Sequence, residues 1–106
     1  MSYIIAYDIG TSGNKVCLYD QKLTPLFETS ESYPLYYPKP GWAEQNPEDF
    51  WDSVLTSTRT ILKESEVNPS EIIALSFTCQ MNSTIPIDKE GKPLMNCISW
   101  LDTRAS

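Results

Sequence analysis

Two apolar runs with one strong helix signal between them set the main constraint on how this chain can fold. The first run, YIIAY at Tyr3–Tyr7, is near-continuous and β-prone, and it reads as a strand buried on both faces. The second, EIIALSFT at Glu71–Thr78, has the apolar density of a central parallel strand. The helix between them has an Asn46 N-cap, Pro47 at its first position, and Glu48 and Asp49 at the positive end of its dipole. Phe50, Trp51, Val54, Leu55, Thr58, Ile61 and Leu62 recur as one buried stripe, Arg59 and Lys63 follow nearer the C-terminal end, and Asn68-Pro69 stops the helix. A strand, a crossover helix and a second strand parallel to the first is the arrangement this order predicts.

The other segments fit around that unit. KVCLY at Lys15–Tyr19 and LTPLFETSESY at Leu23–Tyr33 read as strands joined by a turn at Asp20–Lys22, so the first three strands form an antiparallel meander. PLYYPKPGWAEQNP, from Pro34 to Pro47, has four prolines and Gly41 and reads as an extended connection, with Trp42 and the tyrosines available to pin it down. Ser83–Asp88 and Leu94–Trp100 flank KEGKP and predict a hairpin. The order is β-β-β-loop-α-β, an α/β fold with a mixed sheet, and 106 residues leave room for one modest domain.

The chemistry concentrates in YDIGTSGNK, residues 7–15. A strand stops at an acid, passes two glycines and two hydroxyls, and ends on a lysine. Gly10 and Gly13 can take positive φ, and loop N–H groups with the Thr11 and Ser12 hydroxyls can cradle phosphate oxygens. Lys15 adds a cation, and Asp8 stands where it can hold Mg²⁺, directly or through water. Neither G-x-x-x-x-G-K-[ST] nor G-x-G-x-x-G opening a helix is matched. Read alone, the stretch is either a phosphate loop or an ordinary hairpin turn.

Charge and composition narrow the partners. A net charge of −6 argues against nucleic acid or an anionic membrane as the main partner. The absence of histidine removes the commonest general base and metal ligand. Cysteines at 17, 79 and 97 are odd in number and lack C-x-x-C spacing, so they read as buried, inert thiols rather than a disulfide framework or zinc site. MSYIIAYDIG has no basic region ahead of a long apolar stretch, and no segment approaches the roughly 20 apolar residues a spanning helix needs. The expected location is therefore cytoplasmic.

Taken together, three blocks carry a resemblance. DIGTSGNKVCLYD resembles the first phosphate motif of the sugar-kinase, Hsp70 and actin superfamily. PKPGWAEQNPEDFWDSV resembles the corresponding segment of the FGGY carbohydrate kinases, and ALSFTCQMNSTIPIDKEGKPLMNCISWLDTRA resembles that family's next block, with its Q-M-x and W-x-D-x-R elements. The likeness is greatest to the xylulose-kinase branch, whose members commonly read GW.EQ.PE.WW and GQMHG. It implies a ribonuclease-H-like fold, residues 1–106 forming part of the N-terminal domain of a longer two-domain enzyme, and ATP-dependent phosphorylation of a sugar or polyol hydroxyl, xylulose first, with gluconate or ribulose as other substrates. A non-catalytic sugar- or phosphate-binding fragment is the alternative.

The resemblance also implies roles. Asp8 falls in the Mg²⁺ region, and Gly10, Thr11, Ser12 and Lys15 in the ATP-phosphate region. Gln80, Met81, Asn82, Trp100 and Asp102 fall on the substrate side. The general-base aspartate, the second phosphate motif and the adenosine segment are expected downstream, so the fragment alone is expected to be inactive. A homodimer is compatible with the full-length enzyme. Asn82 stands where the xylulose branch usually has histidine; asparagine still donates to and accepts from a hydroxyl. A two-metal nuclease on the same fold would need several carboxylates converging on Asp8, and FTCQ supplies none.

Overall fold

The computed structural model describes residues 1–106. β1 (Tyr3–Ile9), β2 (Gly13–Asp20) and β3 (Pro25–Ser32) form the meander, α1 (Pro47–Ser65) follows, and β5 (Ile72–Cys79) returns parallel to β1. The four-stranded sheet runs β3-β2-β1-β5, so the two strands with the expected crossover lie side by side. A second ladder joins β4 (Glu44–Gln45) to β6 (Cys97–Ile98), antiparallel.

Strand alternation divides the sheet into two faces. Ile5, Tyr7, Asn14, Val16 and Leu18 point toward α1 and are buried. Ile5, Tyr7, Val16, Leu18 and Ile61 form the core, and the Tyr7 hydroxyl bonds that of Thr58 on the helix. The opposite face carries Asp8, Lys15, Cys17 and Tyr19, which line an open depression of about 580 Å³.

The helix start follows its sequence signals: the Asn46 side chain accepts from the Glu48 N–H at 3.0 Å, with Pro47 in the first turn. Its end comes earlier than Asn68-Pro69, at Ser65, with Glu66 in the left-handed region as C-cap. The buried stripe also differs. Trp51 is exposed, and Ser53 and Ser57 are buried beside Ile61. Both serines donate to helix carbonyls, Ser53 to Phe50 and Ser57 to Ser53, each at 2.7 Å. Their oxygens can then accept from the Asn14 amide, at 3.3 and 3.5 Å. Small hydroxyls are needed here because helix and sheet meet over a polar residue of the hairpin.

Five further expectations are corrected. β5 is parallel as its composition suggested, but from Ile73 onward it is exposed rather than buried, because it is the sheet's edge strand. Gly10 and Gly13 do not take positive φ; Gly41 and Gly91 do. Gly13 is required for another reason, since a Cβ there would lie 2.6 Å from the Glu31 carbonyl oxygen of β3. The Pro34–Pro47 connection is not wholly irregular: it contains β4, and Tyr36 and Glu44 exchange backbone hydrogen bonds at 2.8 Å. Cys79 is exposed, while Cys17 and Cys97 are buried. The 83–100 hairpin survives as two isolated bridges, Thr84 with Ile98 and Ile87 with Pro93, and Cys97 and Ile98 also pair with β4.

Candidate functional site

The β1–β2 connection is held from behind. The Gly10 N–H donates to the Gly13 carbonyl at 2.9 Å, closing the turn. The Tyr33 hydroxyl donates to the Gly10 carbonyl, the Gln45 amide to the Thr11 carbonyl at 2.6 Å, and the Tyr33 N–H to the Ser12 carbonyl at 3.3 Å. Three successive carbonyls are therefore engaged, while the N–H groups of Thr11 and Ser12 donate to no protein acceptor. A loop with its acceptors tied back and its donors unused suits an anion. Burial, followed by the Asp8 charge, pushes the Tyr33 phenol up to about 12, so it stays protonated and keeps donating to the loop.

Asp8 is exposed near the end of β1 and registers with Lys15 on β2 and Thr78 on β5, so the three share the open face. One exposed carboxylate beside a loop with unused N–H donors is a donor set that could hold Mg²⁺, which is typically bound by one or two carboxylates together with substrate phosphates. Lys15 is exposed next to it.

The segment after β5 turns back onto the same loop. The Gln80 N–H donates to the Ile9 carbonyl at 2.9 Å, and the Trp100 indole N–H donates to the Thr11 hydroxyl at 2.9 Å. Met81, Asn82 and Trp100 are exposed, and Trp100 retains 51% of its surface. Asn82 holds φ of 60°, a left-handed conformation that asparagine tolerates better than most residues. The structure thus joins Thr11, Gln80 and Trp100 through hydrogen bonds, with Asp8 on the strand that feeds the loop.

Asp102 is engaged elsewhere. One carboxylate oxygen accepts from the Ala43 N–H at 2.7 Å and from Arg104 at 2.8 Å, and the other accepts the Arg104 backbone and side-chain donors at 2.9 Å. Arg104 also bonds Glu44 at 2.7 Å and lies 3.7 Å from the Trp42 ring centroid. The Arg104 guanidinium holds the Asp102 carboxyl down at about 2, and it lowers that of Glu44 as well. This cluster anchors the Trp100 segment to the proline-rich connection.

Sequence reasoning singled out neither Gln45 nor Tyr33 nor Ser83, which hold the site's pieces together. Gln45 and Ser83 lie inside the quoted blocks, but nothing in their spacing distinguishes a buried, bonded amide from a loop polar residue. Tyr33 follows a strand and reads as its last residue.

The N-terminal domain of the FGGY family of carbohydrate kinases matches residues 3–106. A glycerol kinase from Thermococcus gammatolerans is 38% identical over 98 residues, covering 92% of this chain and 20% of the relative. The solved structure of a ligand-bound xylulose kinase from Lactobacillus acidophilus superposes with a TM-score of 0.87 at 32% identity, over 96% of this chain and 20% of that one. A gluconate kinase from the same organism does so with a TM-score of 0.87 at 33% identity, over 95% and 20%. The chain spans about a fifth of the length of the curated relatives it matches. The expected ribonuclease-H-like mixed sheet is the fold observed, and with nearly its whole length matched, this chain belongs to the FGGY family of carbohydrate kinases.

Proposed function

We propose that residues 1–106 are part of the N-terminal domain of an ATP-dependent kinase that phosphorylates a hydroxyl of a short polyol or sugar. Xylulose is the first candidate, with glycerol, gluconate and ribulose next. The observation that carries this reading is the 10–12 loop, whose carbonyls are tethered and whose Thr11 and Ser12 N–H groups are unused, beside the exposed Asp8.

In this reading Thr11, Ser12, Gly10 and Lys15 bind the phosphates of ATP, and Asp8 holds Mg²⁺, which offsets phosphate charge when bound. Trp100 accounts for one indole–hydroxyl bond to Thr11, so the Thr11 hydroxyl keeps its own proton for a phosphate oxygen. Met81, Asn82 and the Trp100 ring form the polyol face, with Gln80 behind them and Asp102 fixing the segment. The chain's own contribution is positioning and charge complementarity. The proton acceptor for the hydroxyl, the adenosine contacts and any homodimer interface belong to the remainder of the kinase. The location is cytoplasmic; no helix is long and apolar enough to cross a membrane.

The test is ADP release by the whole kinase polypeptide with ATP, Mg²⁺ and a panel of xylulose, glycerol, gluconate and ribulose. Phosphorylation of at least one is expected, and none would defeat the reading. Asp8→Asn should lower kcat on the order of 100-fold, the scale of losing one preorganised electrostatic group, with a much smaller change in polyol KM. Unchanged turnover would remove Asp8 from its role.

A further inference from the structure

Five residues close a ring of hydrogen bonds between the loop and the segment after β5. The Gln45 amide donates to the Thr11 carbonyl at 2.6 Å, and its oxygen accepts from the Gln80 amide at 3.0 Å. The Gln80 oxygen accepts from the Ser83 hydroxyl at 3.2 Å, and the Ser83 oxygen from the Trp100 N–H at 3.2 Å. The Trp100 indole then donates to the Thr11 hydroxyl at 2.9 Å. Thr11 is thus reached twice, once through its backbone and once through its side chain.

The ring has a fixed direction. A carbonyl only accepts, so Gln45 must turn its NH₂ toward Thr11 and its oxygen toward Gln80. Gln80 must then offer its own NH₂ to Gln45 and its oxygen to Ser83. No member can flip without leaving two like groups facing each other. Gln45 is completely buried on β4, where its backbone is paired with β6. The turn does not need this ring for closure, since the Gly10–Gly13 bond and Tyr33 already provide it.

We propose that Gln45 is a positioning residue that couples the two halves of the site, so that polyol contact at Trp100 and the Gln80–Asn82 segment sets the placement of Thr11 toward phosphate. This rests on the kinase reading above. A displacement of Trp100 pulls the Thr11 hydroxyl directly and its carbonyl through Ser83, Gln80 and Gln45. Nucleotide and polyol should therefore tighten each other's binding by the same factor.

The experiment measures, by titration calorimetry on the whole kinase, the Kd of ADP with Mg²⁺ in the absence and presence of saturating xylulose, glycerol or gluconate. Wild type is expected to show a ratio of about 5 or more with the polyol it phosphorylates, the lower end of usual coupling factors. Gln45→Glu keeps the size but cannot donate to the Thr11 carbonyl when ionised, and should bring the ratio toward 1. Ser83→Ala opens the ring at a partly exposed position and should do the same if Gln45→Glu does not fold. A residue that only supports the fold would lower the melting temperature and leave the ratio intact. Phosphorylation with a wild-type ratio near 1, or with a ratio that a folded variant preserves, overturns this inference alone. No phosphorylation of any polyol brings down the kinase reading and this inference with it.

Discussion

Gly13 and Asn82 show how single positions are set by backbone geometry. At Gly13 an added methyl would meet the Glu31 carbonyl oxygen at 2.6 Å, and that oxygen belongs to a strand rather than to a flexible side chain. Gly13→Ala should therefore push β3 from β2 and destabilise the chain by roughly 1–3 kcal/mol, the scale of overpacking. Urea unfolding would read this, and an unchanged midpoint would mean that β3 yields freely. At Asn82, φ of 60° predicts that Asn82→Gly is tolerated structurally, whereas Asn82→Val costs about 1–2 kcal/mol, because a branched Cβ crowds the following carbonyl. Both changes remove the side-chain amide, so both should raise the polyol KM. A KM preserved in Asn82→Gly would take the side chain off the polyol face. The importance of Gly13 was legible in the sequence, but its cause was not. A turn glycine suggests positive φ, and only the approach of β3 from eighteen residues further along reveals the real restriction.

At the scale of elements, the chain's last segment is held by charge. Asp102 and Glu44 flank Arg104, with side-chain exposures of 3%, 12% and 20%, and Trp42 lies against the guanidinium. The Asp102 carboxyl stands at about 2 when folded, against about 3.9 in an unfolded chain. A depressed carboxyl stabilises the fold above its unfolded pKa, and that contribution is lost as pH falls through the folded value. Wild type should therefore melt higher than Asp102→Asn at neutral pH, with the gap closing between about pH 4 and pH 2. A gap constant with pH would show that the ion pair does not hold the segment. The helix N-cap was legible from the local Asn46-Pro47 signal and the parallel return of β5 from the strand–helix–strand order, whereas the left-handed C-cap at Glu66 was not. The partnership of Arg104 with Glu44 was not, since sixty positions separate them. Nor was the burial of Ser53 and Ser57, because a hydroxyl facing Asn14 leaves no hydrophobic trace in the helix period. The site divides in the same way: Thr11 and Trp100 were singled out within recognisable blocks, while Gln45, though inside one, gains its role only when β4 brings it under the loop.

The whole molecule is more extended than its length requires. Its radius of gyration is 16.0 Å, whereas about 13 Å is usual for a compact domain of this size. Much of the difference reflects surfaces left open. Ile73, Leu75 and Phe77 alternate along β5 on the face that α1 covers elsewhere, yet they are 63%, 54% and 55% exposed. Phe77 stacks on Tyr7 at 4.7 Å, continuing the core row out to the sheet edge. Beyond β5 no strand pairs, so its outer backbone groups stand beside an apolar row, the combination that promotes edge-to-edge association. The strand's composition predicted burial because apolar density alone does not distinguish an edge strand from a central one. Prepared as these 106 residues, the polypeptide should self-associate through β5. Its weight-average mass by sedimentation should rise above 12.0 kDa with concentration. Leu75→Lys puts a charge in the middle of the row and should restore the monomer, with little effect on the core formed by Ile5, Leu18 and Ile61. A mass that stays at 12.0 kDa at every concentration would show that twist or side-chain cover already protects this edge. Association unaffected by Leu75→Lys would move the contact away from β5.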